Sequence, residues 1–199
     1  NSDQIAYVVA QSIFSEKKGT IVVNVECSMA MEKTLGELGV KVLRIPVGHT
    51  FMMRKAKETG AALGEENAFH FVLPEYFPFD DTIVIPLKIA EILSRGEKKL
   101  SDIVSEFPLY PKKRVSVDCS DDIKFEVIDR LKKKLSERYE KDKVNILDGV
   151  RVDFDDGWIL VRASNTAPII RITSEAVNEK IRDELSDRYK KIVEDEINL

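Results

Sequence analysis

Cysteine and histidine are scarce in this 199-residue chain, at two each. Cys27 and Cys119 lie far apart, with no Cys-x-x-Cys or Cys-x-x-His spacing, which argues against a disulfide framework and a zinc knuckle. No apolar run approaches the ~18 residues of a membrane-spanning helix, and no signal peptide opens the chain. An excess of positive charge is also missing. Lys and Arg number 31 against 35 Asp and Glu, for a net charge of −4, which argues against a general nucleic-acid binder. The sequence holds no repeat, no low-complexity tract, no metal cluster and no Ser-His-Asp or Cys-His arrangement. These absences leave a globular protein, expected in the cytoplasm with reduced thiols, without a nucleic-acid or membrane partner. Asn1 is not an initiator Met, so the chain is expected to be cut from something longer.

What is present is enough apolar sequence, 43%, for one large domain or two small ones. The first part alternates helical and extended patterns. Ile5, Val8, Val9, Ser12 and Ile13 share one face of a helix over 3–15, with Asp3 by its N-terminal dipole. The continuous apolar run at 20–25 suits a strand covered on both faces. Ser28 is placed to cap a helix over 29–38 that Gly39 ends, and 40–45 reads as a strand. Thr50 is placed to cap a helix that runs to Thr59 and closes at Gly60. A short strand at 61–64 enters a polar loop, a further strand covers 69–73, and a helix covers 81–94, with Pro86 in its first turn or at a kink. Alternating units with short connections predict a three-layer α/β domain with a mixed, largely parallel sheet.

A short helix at 100–106 runs into Phe107-Pro108-Leu109-Tyr110-Pro111, whose two prolines mark a linker. The expected domains are therefore 1–111 and 112–199. The second reads as a smaller α+β domain with an antiparallel sheet. Its strands fall at 114–118, 149–154, 158–163 and 169–174, and Asp155-Asp156-Gly157 is a hairpin turn. Ile123, Val127, Ile128, Leu131 and Leu135 line one side of a helix over 121–139, and Lys132-Lys133-Lys134 is its solvated face. A final helix covers 175–197.

Between the last two strands lies Arg162-Ala163-Ser164-Asn165-Thr166-Ala167-Pro168-Ile169-Ile170-Arg171. Arginine offers a planar fork that fits a phosphate bidentately. Hydroxyls and loop N–H groups supply further donors, and Pro168 stiffens the exit. The loop reads as a cradle for a dianionic phosphate on a small molecule. The competing reading is ordinary turn chemistry, with the arginines paired to carboxylates on a plain scaffold domain. Two weaker constellations lie in the first domain. Gly64-Glu65-Glu66-Asn67 is expected in a loop after a strand, where acceptors suit sugar hydroxyls. Gly48-His49-Thr50 lies between strand and helix and suits a polar or anionic ligand. The alternatives are a solvated acidic loop, a surface histidine and, for His70, simple packing.

In their order, Gly48-His49-Thr50-Phe51-Met52, Lys57-Glu58-Thr59-Gly60-Ala61, Gly64-Glu65-Glu66-Asn67, Phe79-Asp80-Asp81 and Arg162-Ala163-Ser164-Asn165-Thr166-x-Pro168 resemble the α-D-phosphohexomutase family, which includes phosphomannomutase and phosphoglucomutase. The resemblance covers the whole chain and corresponds to the third and fourth of the family's four domains. It implies an isomerase of carbohydrate metabolism, an intramolecular phosphotransferase that interconverts hexose 1-phosphate and hexose 6-phosphate. A phosphoserine donates its phosphoryl group to give a bisphosphorylated sugar, and Mg2+ stabilises the transferring group. By the same resemblance Arg162, Ser164, Asn165 and Thr166 hold the non-reacting phosphate with Arg171 in support. Glu65 and Asn67 contact sugar hydroxyls, and Gly48 and His49 line the sugar site. The Thr-x-Ser-His-Asn-Pro serine loop and the Asp-Gly-Asp-x-Asp-Arg magnesium loop are absent. The chain is therefore expected to hold no catalytic residue and no metal ligand, and to depend on N-terminal domains of the same protein or of a separate chain. Further departures are Glu26 in place of a common lysine, Asn67 for serine, Phe69 for histidine, Thr82 for glycine and Ala167 at an often acidic position. The alternative reading is a non-catalytic sugar-phosphate-binding module or a subunit of a split enzyme.

Overall fold

The computed structural model describes residues 1–15 and 18–199, which divide into two units, Asn1–Leu109 and Tyr110–Leu199. In the first unit, Asn1 caps helix α1 (Ser2–Phe14): its side chain accepts the Gln4 N–H while the Gln4 side chain reaches back, a capping box that satisfies two orphan donors. Strand β1 (Gly19–Asn24) is followed by α2 (Ala30–Glu37), β2 (Val40–Ile45), α3 (His49–Thr59), β3 (Leu63–Glu66), β4 (His70–Val72), α4 (Val84–Arg95) and α5 (Leu100–Ser105). The sheet order is β2-β1-β3-β4, with β1 parallel to both neighbours and β4 antiparallel to β3. This is the expected mixed, largely parallel sheet.

Strand pairing decides what each face buries. Val22 pairs with Leu43 and Gly64, and Val22 packs with Met52 and Ala56 of α3. The alternate residues, Val23 and Glu65, look toward the other face, where α1 packs against α2, α4 and α5. The two crossovers from β1 to β2 and from β2 to β3 thus put helices on both faces of the sheet.

Several expected boundaries move. Ser28 does not cap a helix at Met29, because the helix starts at Ala30, whose N–H meets the Ser28 hydroxyl. Thr50 is not the cap of α3; the helix begins at His49 behind Gly48, whose φ of 141° only glycine adopts freely. The strand expected at 61–64 lies at Leu63–Glu66, so Glu65 and Glu66 sit in a buried strand, not a loop. Pro86 falls in the first turn of α4, where its missing N–H costs nothing.

The second unit runs β5 (Lys112–Asp118), α6 (Lys124–Arg138), β6 (Val144–Asn145), β7 (Val150–Phe154), β8 (Gly157–Ala163), β9 (Ile169–Ala176) and α7 (Glu179–Ile197). Its sheet, in the order β5-β9-β8-β7-β6, is antiparallel throughout. Two-residue β6 is too short to leave a periodic signal. The final helix starts at Glu179 rather than at Glu175, which belongs to β9; Asn178 is the cap and accepts the Ile181 N–H. One face of the sheet carries Val150, Val152, Ile159, Val161, Ile170 and Ile172 into a core with α6 and α7. Fully burying each such side chain is worth ~1.5–3 kcal/mol.

Candidate functional site

The other face of the second sheet is rich in arginine, with Asp153 and Glu175 among them. Because side chains alternate along a strand, the residues that flank the core positions (Arg114 on β5, Arg151 and Arg162 on β7 and β8, Arg171 on β9) share that face. Arg162 and Arg171 are direct cross-strand partners. Like charges so placed destabilise a sheet unless something negative lies near. Asp148 supplies part of it: its carboxylate meets Arg162 Nη1 at 3.1 Å. Gly149 makes this approach possible. Its φ is +71°, and a Cβ there would lie 2.2 Å from the Val161 carbonyl oxygen and 2.6 Å from Arg162 Cβ.

The loop after β8 is pinned at its carbonyl groups. Ser164 N–H donates to Ile169 O at 3.0 Å, and Cys119 N–H donates to Pro168 O at 3.0 Å. Thr166 N–H meets the Ser164 hydroxyl at 3.3 Å, so buried Ser164 shapes the turn. Asn165 and Thr166 are exposed. The structure thus gathers Arg162, Ser164, Asn165, Thr166 and Arg171 at one corner of the second unit. It places Arg162 in the ion pair that the scaffold reading expects, while main-chain bonds hold the loop and its tip is exposed.

In the first unit the candidate residues meet at the carboxyl edge of the parallel strands, where α/β sheets bind ligands. Gly48 N–H donates to Glu66 Oε1 at 2.5 Å, and Asn24 Nδ2 donates to the same oxygen at 3.3 Å. His49 and His70 face each other with ring centroids 5.6 Å apart. His70 Nδ1 lies 2.5 Å from Asp80, so His70 is held by a carboxylate rather than by packing alone. Asn67 opens the three-residue turn to β4, and Phe69 ends it with φ at +64°, a conformation costly for an aromatic residue. Glu65 is apart from this group. It is wholly buried on the α1 side and accepts the Cys27 thiol at 2.8 Å.

Magnesium would need hard oxygen ligands in near-octahedral array, several of them waters. Among the described residues, the one group with metal-ligand proximity is Asp3, Cys27 and Glu65, whose ligand atoms lie within 4.8 Å of one another. Burial and then the Glu65 carboxylate push the Cys27 thiol well above its ordinary range. Asp3 is engaged with the Ser28 N–H at 3.0 Å. A protonated thiol in a dry pocket does not fit Mg2+.

Two residues at these corners escaped sequence reasoning, and a third, Glu66, was singled out only as part of its motif. Its own role is legible only once β3 is known to run to it. Asp148-Gly149 before an apolar strand was a turn signal that could have drawn attention. Lys124 stands in the first turn of α6, where the helix dipole disfavours a cation, and that misplacement was the available clue.

Comparison with known proteins agrees with both units. The family model described as "Phosphoglucomutase/phosphomannomutase, alpha/beta/alpha domain III" matches residues 1–110, and that described as "Phosphoglucomutase/phosphomannomutase, C-terminal domain" matches residues 115–192. A probable phosphoglucosamine mutase of Methanopyrus kandleri is 35% identical over 192 residues, which is 96% of this chain and 42% of that protein. A phosphomannomutase/phosphoglucomutase of Pseudomonas putida is 30% identical over 191 residues, 94% of this chain and 41% of that protein. A crystal structure of a phosphoglucomutase/phosphomannomutase family protein from Burkholderia thailandensis shares the fold at a TM-score of 0.83 and 24% identity, over 98% of this chain and 41% of that one. The chain thus spans about two fifths of the length of these relatives. Two consecutive domain models over nearly all its length place this chain in the phosphoglucomutase/phosphomannomutase family, as its domain III followed by its C-terminal domain.

Proposed function

We propose that this chain supplies the sugar- and phosphate-holding part of a phosphohexomutase that interconverts hexose 1-phosphate and hexose 6-phosphate through a bisphosphorylated intermediate. The second unit anchors the phosphate that is not reacting, through Arg162, Asn165, Thr166 and Arg171, with Ser164 shaping the loop. The first unit meets sugar hydroxyls with Gly48, His49 and Asn67. Glu65, buried apart from them on the α1 side, joins them only once the end of β3 opens and the Cys27 thiol is exchanged for a hydroxyl donor. The phosphoserine and the Mg2+ that supports phosphoryl transfer belong to residues outside this sequence, and the chain alone turns nothing over. Glucosamine, mannose and glucose phosphates all suit the proposal, as the names of the relatives indicate.

The observation that carries this reading is the pairing of Arg162 with Arg171 beside an exposed Asn165-Thr166 turn. A phosphate between two guanidinium groups relieves their repulsion and gains charge-assisted bonds worth ~1.5–3 kcal/mol each. Titration of the 199-residue chain with glucose 6-phosphate and with glucose tests it. The phosphorylated sugar is expected to bind and the free sugar to leave no signal. Equal binding of the two would refute a phosphate anchor, and mutase turnover by the chain alone would refute its dependence on other domains.

A second reading, a sugar-phosphate-binding module without chemistry, is favoured by the enclosure of Glu65 against Cys27. Joining the chain to the serine- and magnesium-bearing domains of a relative separates the two readings: turnover supports the enzyme, and tight binding without turnover supports the module.

A further inference from the structure

Lys124 is the most deeply buried lysine of the second unit for which a full set of acceptors is seen. It is 3% exposed and its ammonium has three of them: Ser164 O at 2.6 Å, Ala167 O at 3.1 Å and the Asp121 carboxylate. A lysine has three N–H donors, so each is matched. Burying a cation is costly unless it is paired and hydrogen-bonded in this way. The position also runs against the dipole of α6, whose first residue it is. A cation held at two such costs, with two of its three bonds on one loop, has its consequence in that loop.

The peptide group gives the consequence. No cis peptide bond occurs among the described residues. In a trans peptide the carbonyl of one residue and the N–H of the next point in opposite directions. Lys124 draws the Ser164 carbonyl toward α6, so the Asn165 N–H is turned away from α6. The Ala167 carbonyl is drawn the same way, and the following Pro168 has no N–H to present. Its carbonyl is tied in turn to Cys119 N–H. Three of the loop's carbonyls, those of Ser164, Ala167 and Pro168, are thus held within the unit. The Asn165 N–H points away from the Ser164 carbonyl, beside the exposed Asn165 and Thr166, and an outward N–H is the polarity an anion requires.

We propose that Lys124 is a positioning residue for the phosphate loop: its ammonium, bonded to the Ser164 and Ala167 carbonyls, aims the Asn165 N–H and the loop tip at the anion. The inference rests on the phosphate-anchor reading of this loop and adds a residue that does not itself touch the ligand. It also predicts that the loop is preformed without ligand, because its inner bonds are made within the chain.

The test uses 1H–15N spectra of the 199-residue chain as wild type, Lys124→Met and Lys124→Gln, each without ligand and titrated with inorganic phosphate. Methionine keeps the length of the stem without the charge, and glutamine keeps a single neutral donor should the methionine variant fail to fold. In the ligand-free spectra the Asn165 and Thr166 amides are expected to shift and exchange faster in both variants, while amides of β7 and of mid-α7 stay in place. On titration the variants are expected to bind phosphate about tenfold more weakly than wild type, the equivalent of one lost charge-assisted contact. Ligand-free spectra that leave Asn165 and Thr166 where wild type has them, in whichever variant folds, would overturn the proposal. So would undiminished phosphate affinity. If wild type itself ignores phosphate, the anchor reading fails, while the ligand-free comparison still decides whether Lys124 holds the loop.

Discussion

The two units present opposite electrostatics at the corners their candidate site residues occupy. In the second unit the chemistry is cationic. Arg162 and Arg171 face each other across two strands, a buried lysine and a cysteine N–H hold the loop carbonyls, and Asp148 steadies one guanidinium. In the first unit the chemistry is carboxylate and already engaged. Glu66 takes Gly48 N–H and Asn24, Glu65 takes the Cys27 thiol, and Asp80 takes His70. A corner where two like charges are only partly offset by Asp148 favours an added anion. A corner of satisfied acceptors must exchange one partner for another. The phosphate side should thus contribute affinity, and the sugar side, where each hydroxyl displaces an existing bond, should contribute discrimination.

The largest expected difference is in how the two corners tolerate a methyl group. Gly149→Ala combines a left-handed backbone with a Cβ 2.2 Å from a backbone carbonyl, and should cost about 3 kcal/mol and displace Asp148. Gly64→Ala meets Val72 Cγ1 at 2.5 Å and Met52 Cγ at 2.7 Å, side chains that can shift, and should cost about 1–2 kcal/mol. Urea unfolding of the two variants checks the order, and a more damaging Gly64→Ala would break the comparison.

Next in size is the effect on anion binding. Arg162→Ala should weaken phosphate binding about 10- to 100-fold, one or two charge-assisted bonds' worth. Glu65→Gln should leave it unchanged, as measured by calorimetric titration with glucose 6-phosphate. A smaller gain is expected at the turn of the first unit. Phe69→Gly removes the strain of φ +64° and should stabilise by about 1 kcal/mol on the urea scale.

The smallest effect concerns acid. The Arg182 guanidinium, and then Lys113, hold the Asp183 carboxyl down to about 2. Its unfolded value is ~3.9. A depressed carboxyl contributes stability above its unfolded pKa, and that contribution fades as pH falls toward the folded value. Unfolding midpoints between pH 5 and 2 should therefore drop less for Asp183→Asn than for wild type.

Much of this was legible in the sequence, for identifiable reasons. The phosphate loop was readable because short apolar runs, Trp158-Ile159-Leu160-Val161 before it and Ile169-Ile170 after it, mark both strands and leave the polar turn between them. The carboxylate corner was harder. Ala61 and Ala62 extended the apolar run and drew the expected strand two residues early, whereas pairing of Ile21 with Leu63 sets its start. Since side chains alternate, that slip hid which of Glu65 and Glu66 lies beside Gly48. Glu175 was read as helical because charge there suits a helix, yet it pairs with Lys112 and Trp158 across the sheet. Lys124 and Asp148 gave local clues, but their partners lie 40 and 14 positions away, so their roles emerge from spatial neighbours.

The central claim is that the bend after β8 is a cationic anchor for a phosphate monoester. A crystal of this chain soaked with glucose 6-phosphate tests it most directly. The account predicts phosphate density against the Asn165 N–H and both guanidinium groups, Arg162 and Arg171. A loop corner bare of density at saturating ligand, with Arg162 bound to Asp148 alone, would contradict it.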